Sequence, residues 1–124
     1  MPAAAIALCV ILGAFAVFQL ALILGAPIGR FAWGGQHRVL PAKLRVGSAV
    51  AIVIYAVIGT LALDRASVID VVPDLVSSVG MWVAFGYFVL GIPLNAVSRS
   101  KAERFTMTPV VAILAILSLL VARG

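Results

Sequence analysis

Four long apolar segments dominate the sequence, and the charged residues lie almost entirely between them. A membrane-spanning helix needs about 20 mostly apolar residues, because about 30 Å of hydrocarbon is crossed at 1.5 Å per residue. We assign spans to residues 3–25, 46–63, 75–94 and 101–122. The chain is 65% hydrophobic and 10% charged, whereas a soluble domain is about 45–50% apolar and about 25% charged. The sequence therefore predicts an all-α integral membrane protein, a single four-helix transmembrane bundle.

Capping signals place the helix starts, and the fourth helix has two competing ones. Pro41 suits the first position of the second helix, and Asp74 suits the N-cap of the third. For the fourth helix, Thr108-Pro109 is a good cap, but it leaves only residues 109–122, which are too short to cross the bilayer. Ser100 and Glu103 have the capping-box spacing. Length favours the start at Ser100, with a kink at Pro109.

The distribution of lysine and arginine predicts the orientation. The first connection holds Arg30, Arg38, Lys43 and Arg45, and the third holds Arg99, Lys101 and Arg104. Only Arg65 and Arg123 lie on the other side, which also holds three aspartates. Because short cytoplasmic loops are enriched in lysine and arginine, seven against two places the first and third connections inside and both termini outside. The formal net charge of +5 then favours anionic lipid as partner over nucleic acid.

A weak internal similarity suggests two parallel helix-hairpin repeats. Residues 24–28 (LGAPI) resemble residues 90–94 (LGIPL) at an offset of 66, and Arg38 matches Arg104 at the same offset. Chance similarity between apolar segments is the competing explanation.

The first connection has the richest chemistry in the chain. Its candidate ligand-binding or anion-binding residues are Arg30, Trp33, Gly34, Gly35, His37 and Arg38. Glycines let backbone N–H groups approach an oxyanion, and arginines add bidentate hydrogen bonds. The same residues also serve as positive-inside signal, interfacial aromatic and turn formers, and both interpretations stay open.

The third connection adds Asn95, Ser98, Arg99 and Arg104, which complete that site if the two connections meet. A compact bundle with short loops favours such a meeting. The structural alternative assigns these residues to helix capping and lipid headgroups. Gln19, inside the first span, is assigned to interhelical hydrogen bonding, with transport as the alternative.

Because the chain has one cysteine and one histidine, several kinds of site cannot form within one chain. One cysteine, Cys9, allows no intramolecular disulfide and no CxxC pair, and one histidine, His37, allows no two-histidine metal or haem site. Cys9 is assigned to packing. The three aspartates at positions 64, 70 and 74 have no recognised ligand spacing. We expect no metal, no cofactor and no nucleic-acid partner.

Several short motifs resemble a family of small bacterial membrane proteins with four helices. They are WGG at residues 33–35, LP at 40–41, LR at 44–45 and N-x-x-S-R-S-K-x-E-R at 95–104. The resemblance implies a multi-pass protein of the bacterial cytoplasmic membrane and no known activity. In length the chain is also similar to small multidrug resistance transporters and dimeric fluoride channels. It lacks the glutamate of the former in span 1 and the threonine-phenylalanine-serine run of the latter in span 3.

Three functional hypotheses follow. The first is a non-enzymatic module that associates with itself or with a membrane complex, and whose basic face contacts anionic lipid or a partner protein. Small residues spaced by four, at positions 21 and 25, 47 and 51, and 80 and 84, support helix association. The second is a small oligomeric channel or carrier for an anion or polar solute. The third is a lipid-headgroup enzyme that uses His37 as acid or base.

Overall fold

A computed structural model describes residues 2–124 and contains four α-helices: α1 (Pro2–Ile23), α2 (Ala42–Arg65), α3 (Asp74–Ala96) and α4 (Lys101–Arg123). Each is long and apolar enough to cross a membrane. At 1.5 Å per residue, helices of 22 to 24 residues extend about 33–36 Å, slightly more than the hydrocarbon thickness. The expected all-helical architecture, with four helices that are each able to cross a membrane, is therefore confirmed.

The helices form a four-membered ring in chain order. Helix α1 packs against α2 and α4, and α3 packs against the same two neighbours, so α1 and α3 lie at opposite corners. The buried core contains Leu8, Leu12, Met81, Leu114 and Val121. Contacts of Cys9 with Gly59 and of Gln19 with Tyr55 show that α1 and α2 are antiparallel. The first connection contacts the start of α4, so the first and third connections lie at one end of the bundle. We call this end, with its seven basic residues, the basic end, and the opposite end the acidic end.

The observed helix starts correct two details of the sequence analysis. Pro41 is the N-cap of α2, with extended backbone, and not its first helical residue. Asp74 is the first residue of α3 and follows the N-cap Pro73, so the expected aspartate cap is absent. In contrast, α4 begins directly after Ser100, whose side chain accepts a hydrogen bond from the Glu103 amide, and continues through Pro109.

The first connection packs against the end of the bundle and does not extend into solvent. It contains two short 3-10 turns, Gly29–Phe31 and Trp33–Gly35. The Gly29 amide donates to the Arg38 carbonyl at 2.9 Å, which closes the connection into a loop. Leu22, Ala32 and Leu40 are buried together and attach this loop to the end of α1. The connection is thus a packed part of the bundle.

At the acidic end, the second connection is held by a carboxylate. Asp64 Oδ2 accepts hydrogen bonds from the amides of Val71 and Val72 at 2.8 and 3.0 Å. Arg65 donates to the Ala122 carbonyl at the end of α4, at 3.1 and 3.3 Å. A cation at a helix C-terminus is favourable because the last carbonyl groups lack partners within the helix. Two charged residues at the end of α2 therefore attach the second connection and the end of α4 to that helix.

The two segments of the proposed repeat adopt different local structures. Residues 24–28 follow the end of α1, where Gly25 has a positive φ of 95°, whereas residues 90–94 lie inside α3. The internal repeat accordingly stays a prediction.

Candidate functional site

The two basic connections meet at the basic end of the bundle. The Ser100 hydroxyl donates to the Arg30 carbonyl, and the Gly34 amide donates to Glu103 Oε2 at 3.4 Å. Gly35, with a φ of 71°, lies so close to Ser100 that a Cβ atom would overlap its side chain. The glycine is required both for this approach and for its left-handed backbone. Loop glycines therefore let the first connection dock onto the start of α4.

Trp33 anchors the same connection to α2. Its indole Nε1 donates to the hydroxyl of Ser48, at 3.2 Å, and Ser48 is fully buried. The ring lies over Gly47, where a Cβ atom would come within 2.7 Å of a ring carbon. Gly47 therefore accommodates a tryptophan from the first connection, whereas the sequence assigned it to a face between helices.

Between the docked connection and the four helices lies a cavity of about 370 Å³, which we call the interior cavity. Small-molecule sites in proteins commonly measure about 300–1,000 Å³. Seven aromatic residues line it: Phe15, Phe18, Phe31, Trp33, Tyr55, Tyr87 and Phe88. Three further lining residues carry an amide or a carboxylate: Gln19, Asn95 and Glu103. The cavity thus combines aromatic walls with a few polar groups.

The two amide side chains are held in place differently. Gln19 Nε2 donates to the Tyr55 hydroxyl at 3.2 Å, in a hydrogen bond between α1 and α2. The amide oxygen of Gln19, Oε1, is buried without a hydrogen-bond partner. Asn95 Nδ2 donates to the Gly91 carbonyl of its own helix at 2.7 Å. Gln19 therefore keeps a free acceptor beside the interior cavity.

Glu103 is the charged residue of the cavity wall. Only 7% of its surface is exposed. In a capping box its carboxylate accepts from the Ser100 amide, but that amide donates to Ser98 Oγ instead, at 3.2 Å. The carboxylate instead accepts a hydrogen bond from the Gly34 amide. The sequence analysis assigned Glu103 to capping and so missed its place in the cavity, and no sequence pattern distinguishes these two roles.

The candidate anion-binding residues differ in exposure and in their contacts. Five of them have exposed side chains: Arg30, Trp33, His37, Arg38 and Arg99. The guanidinium groups of Arg30 and Arg104 lie over the rings of their neighbours in sequence, Phe31 and Phe105, at 4.9 and 4.8 Å from the ring centroids.

The other candidate residues are incorporated in the fold. Ser98 is buried and accepts a hydrogen bond from the amide of Ser100, and Gly34 and Gly35 form the docked turn. The structure brings Trp33, Gly34 and Asn95 to the interior cavity or its wall and leaves the exposed cations outside.

The contacts of Glu103 and Cys9 bear on two further assignments made from the sequence. A catalytic histidine is usually oriented by a carboxylate, but within residues 2–124 the Glu103 carboxylate accepts a hydrogen bond from Gly34 and not from His37. Cys9 Sγ lies 3.6 Å from the Gly59 carbonyl, in a contact between α1 and α2. Across residues 2–124, no group of three or more histidine, cysteine, aspartate or glutamate residues has a geometry that could hold a metal ion.

Comparisons with models of protein families, with curated proteins and with solved structures find no match to this chain. Function must therefore be inferred from the fold, the charge distribution and the interior cavity.

Proposed function

We propose that this chain is a non-enzymatic multi-pass protein of the bacterial cytoplasmic membrane. Its basic end faces the cytoplasm and binds anionic lipid headgroups. Both termini lie on the periplasmic side, and the acidic end faces outward.

The exposure of the cations carries this proposal. Of the seven basic residues at the basic end, five have exposed side chains: Arg30, Arg38, Lys43, Arg99 and Lys101. In contrast, Arg45 is half-buried and donates to the carbonyls of Leu40 and Ile23 at 2.8 and 3.2 Å. Each lysine or arginine near an anionic membrane surface contributes about 1 kcal/mol of attraction. Five exposed cations at one end of a short bundle thus support contact with anionic headgroups.

Orientation is tested with single cysteines in a Cys9→Ala background. We expect Asp70→Cys to react with a membrane-impermeant maleimide in intact spheroplasts, and Gln36→Cys to react only after lysis. Both wild-type side chains are exposed, so burial does not protect either site. The opposite labelling pattern would overturn the proposed topology.

Lipid binding is tested by native mass spectrometry of protein extracted in mild detergent. Wild-type protein should retain phosphatidylglycerol in preference to phosphatidylcholine. The triple variant Arg38→Gln, Lys43→Gln, Arg99→Gln should lose that preference. Arg123→Gln, which removes one exposed cation at the acidic end, is the matched control and should keep it. Equal retention of both lipids by wild-type protein would contradict the proposal.

Association with further copies or with a larger complex is part of the proposal. Gly13, near the middle of α1, is exposed and has open space where a Cβ atom would lie. Small residues on a lipid-facing surface let a second helix approach closely. We expect a dimer or larger assembly in the same mass spectra, and Gly13→Leu should shift it towards monomer. A monomer at all concentrations would contradict self-association.

A small oligomeric carrier or channel is the second candidate, and the interior cavity favours it. Gln19 and Asn95 provide polar groups for a solute, whereas the Glu103 carboxylate disfavours an anion. Flux of a polar solute into proteoliposomes should fall in Asn95→Ala and stay unchanged in Arg38→Ala, because Arg38 is exposed outside the cavity. Unchanged flux in both variants would exclude this path.

A further inference from the structure

The interior cavity contains a buried carboxylate, Glu103, that forms no hydrogen bond with a basic side chain within residues 2–124. Within residues 2–124, the hydrogen bond to the Glu103 carboxylate comes from a backbone amide and not from a lysine or arginine. That bond is 3.4 Å long, at the weak end of the hydrogen-bond range. A buried carboxylate is unfavourable unless it is paired or fully hydrogen-bonded. The carboxylate therefore has acceptor capacity left for a hydrogen-bond donor or a cation from a ligand.

The walls around this carboxylate suit the same kind of ligand. Trp33 and Phe31 also line the cavity, and aromatic faces attract ammonium groups electrostatically. The Phe31 ring already contacts a cation, the Arg30 guanidinium. Further inside, the lining includes Phe15, Phe88 and Leu114, which are apolar. Glu103 and Leu114 are eleven residues apart on α4, or about 16 Å at helical rise. The cavity is therefore charged at one end and apolar at the other.

We propose that the interior cavity binds an organic cation consisting of an ammonium group on an apolar chain. The ammonium group lies at the Glu103 carboxylate and near the lining residue Trp33, and the apolar chain extends towards Leu114. Such a ligand reaches the cavity from the bilayer, because the lining residues Leu90 and Leu94 of α3 are 67% and 70% exposed on the lipid-facing surface. Neither the orientation of the chain in the membrane nor its proposed lipid contacts are needed for this inference.

The test uses purified full-length protein in micelles of dodecyl maltoside, which is uncharged and carries no ammonium group. Trp82→Phe leaves Trp33 as the only tryptophan, because the chain has two, so fluorescence reports on the cavity wall. The probes are hexyltrimethylammonium, hexanol and hexyl sulfate, which share a chain and differ in charge. We expect the cation to bind at least about tenfold more tightly than the other two, as is reasonable for a desolvated charge contact.

Glu103→Gln keeps the shape of the side chain and removes its charge. We expect this variant to bind the cation about tenfold more weakly and to bind hexanol as before. Asp74→Asn removes an exposed carboxylate at the acidic end and should leave cation binding unchanged. If Glu103→Gln does not fold, Glu103→Asp, which withdraws the carboxylate by one methylene group, should lower affinity for the cation alone.

The ammonium group could belong to a free amphiphile or to a lipid headgroup. Phosphatidylethanolamine added to the micelles should compete with hexyltrimethylammonium if the headgroup is the source, and should not compete if the source is a free amphiphile. Either result supports an ammonium site. Equal affinity for the three probes, no fluorescence response to any of them, or unchanged cation binding in a folded Glu103→Gln would overturn it.

Discussion

Replacing Ser100 by alanine should destabilise the protein by about 1.5–2 kcal/mol. The Ser100 hydroxyl accepts from the Glu103 amide, which caps α4, and donates to the Arg30 carbonyl in the first connection. Loss of a serine N-cap costs about 1 kcal/mol. Loss of a hydrogen bond at a half-buried site adds about 0.5–1 kcal/mol. One atom thus joins the start of a helix to a loop 70 residues away in sequence.

A second variant separates these two contributions. Ser100→Asp keeps an acceptor for the Glu103 amide and removes the donor to Arg30, so it should lose only about 0.5–1 kcal/mol. The assay is reversible unfolding in mixed micelles of dodecyl maltoside and dodecyl sulfate, followed by circular dichroism. Ser78→Ala, at a half-buried serine of α3, is the control. The reasoning fails if Ser100→Ala is no more destabilising than Ser78→Ala, or if Ser100→Asp and Ser100→Ala are equal.

Two further predictions concern other contacts of the bundle. Gly47→Ala should displace the Trp33 ring, destabilise the protein by about 1–3 kcal/mol and shift Trp33 emission to longer wavelength, whereas Gly86→Ala, in open space, should do neither. An unshifted spectrum in Gly47→Ala would contradict the docked tryptophan. Asp64→Ala leaves two backbone amides of the second connection without their acceptor, so it should destabilise by about 2–3 kcal/mol in the same unfolding assay, against less than about 0.5 kcal/mol for Asp70→Ala. Equal effects of the two aspartate variants would refute that role.

Local signals were sufficient where a helix start depends on neighbouring residues. The length argument and the Ser100 cap together predicted the start of α4, because a helix shorter than the bilayer cannot span it. The predicted N-caps of α2 and α3 each differ from the observed ones by one residue. Proline is compatible both with the first helical position and with the extended N-cap before it, so the sequence does not distinguish the two.

The candidate site was predicted only in part. Trp33 and Asn95 line the interior cavity, and both were selected from their polar or aromatic character within basic segments. The arginines were selected for charge, but a charge near the end of a helix reaches water most easily by pointing away from the bundle. Glu103 was assigned to its own helix because no neighbour in sequence reveals that Gly34, 69 residues away, donates to it.

The chain's own composition and spacing determined that it folds as four apolar helices with basic residues at one end, because hydrocarbon demands long apolar segments and satisfied backbone groups whatever the helices pack against. Only the tertiary structure decided that the first connection folds inward, that Trp33 packs over Gly47, and that a carboxylate faces an aromatic cavity. These features depend on side chains that are distant in sequence and meet only after the helices have packed.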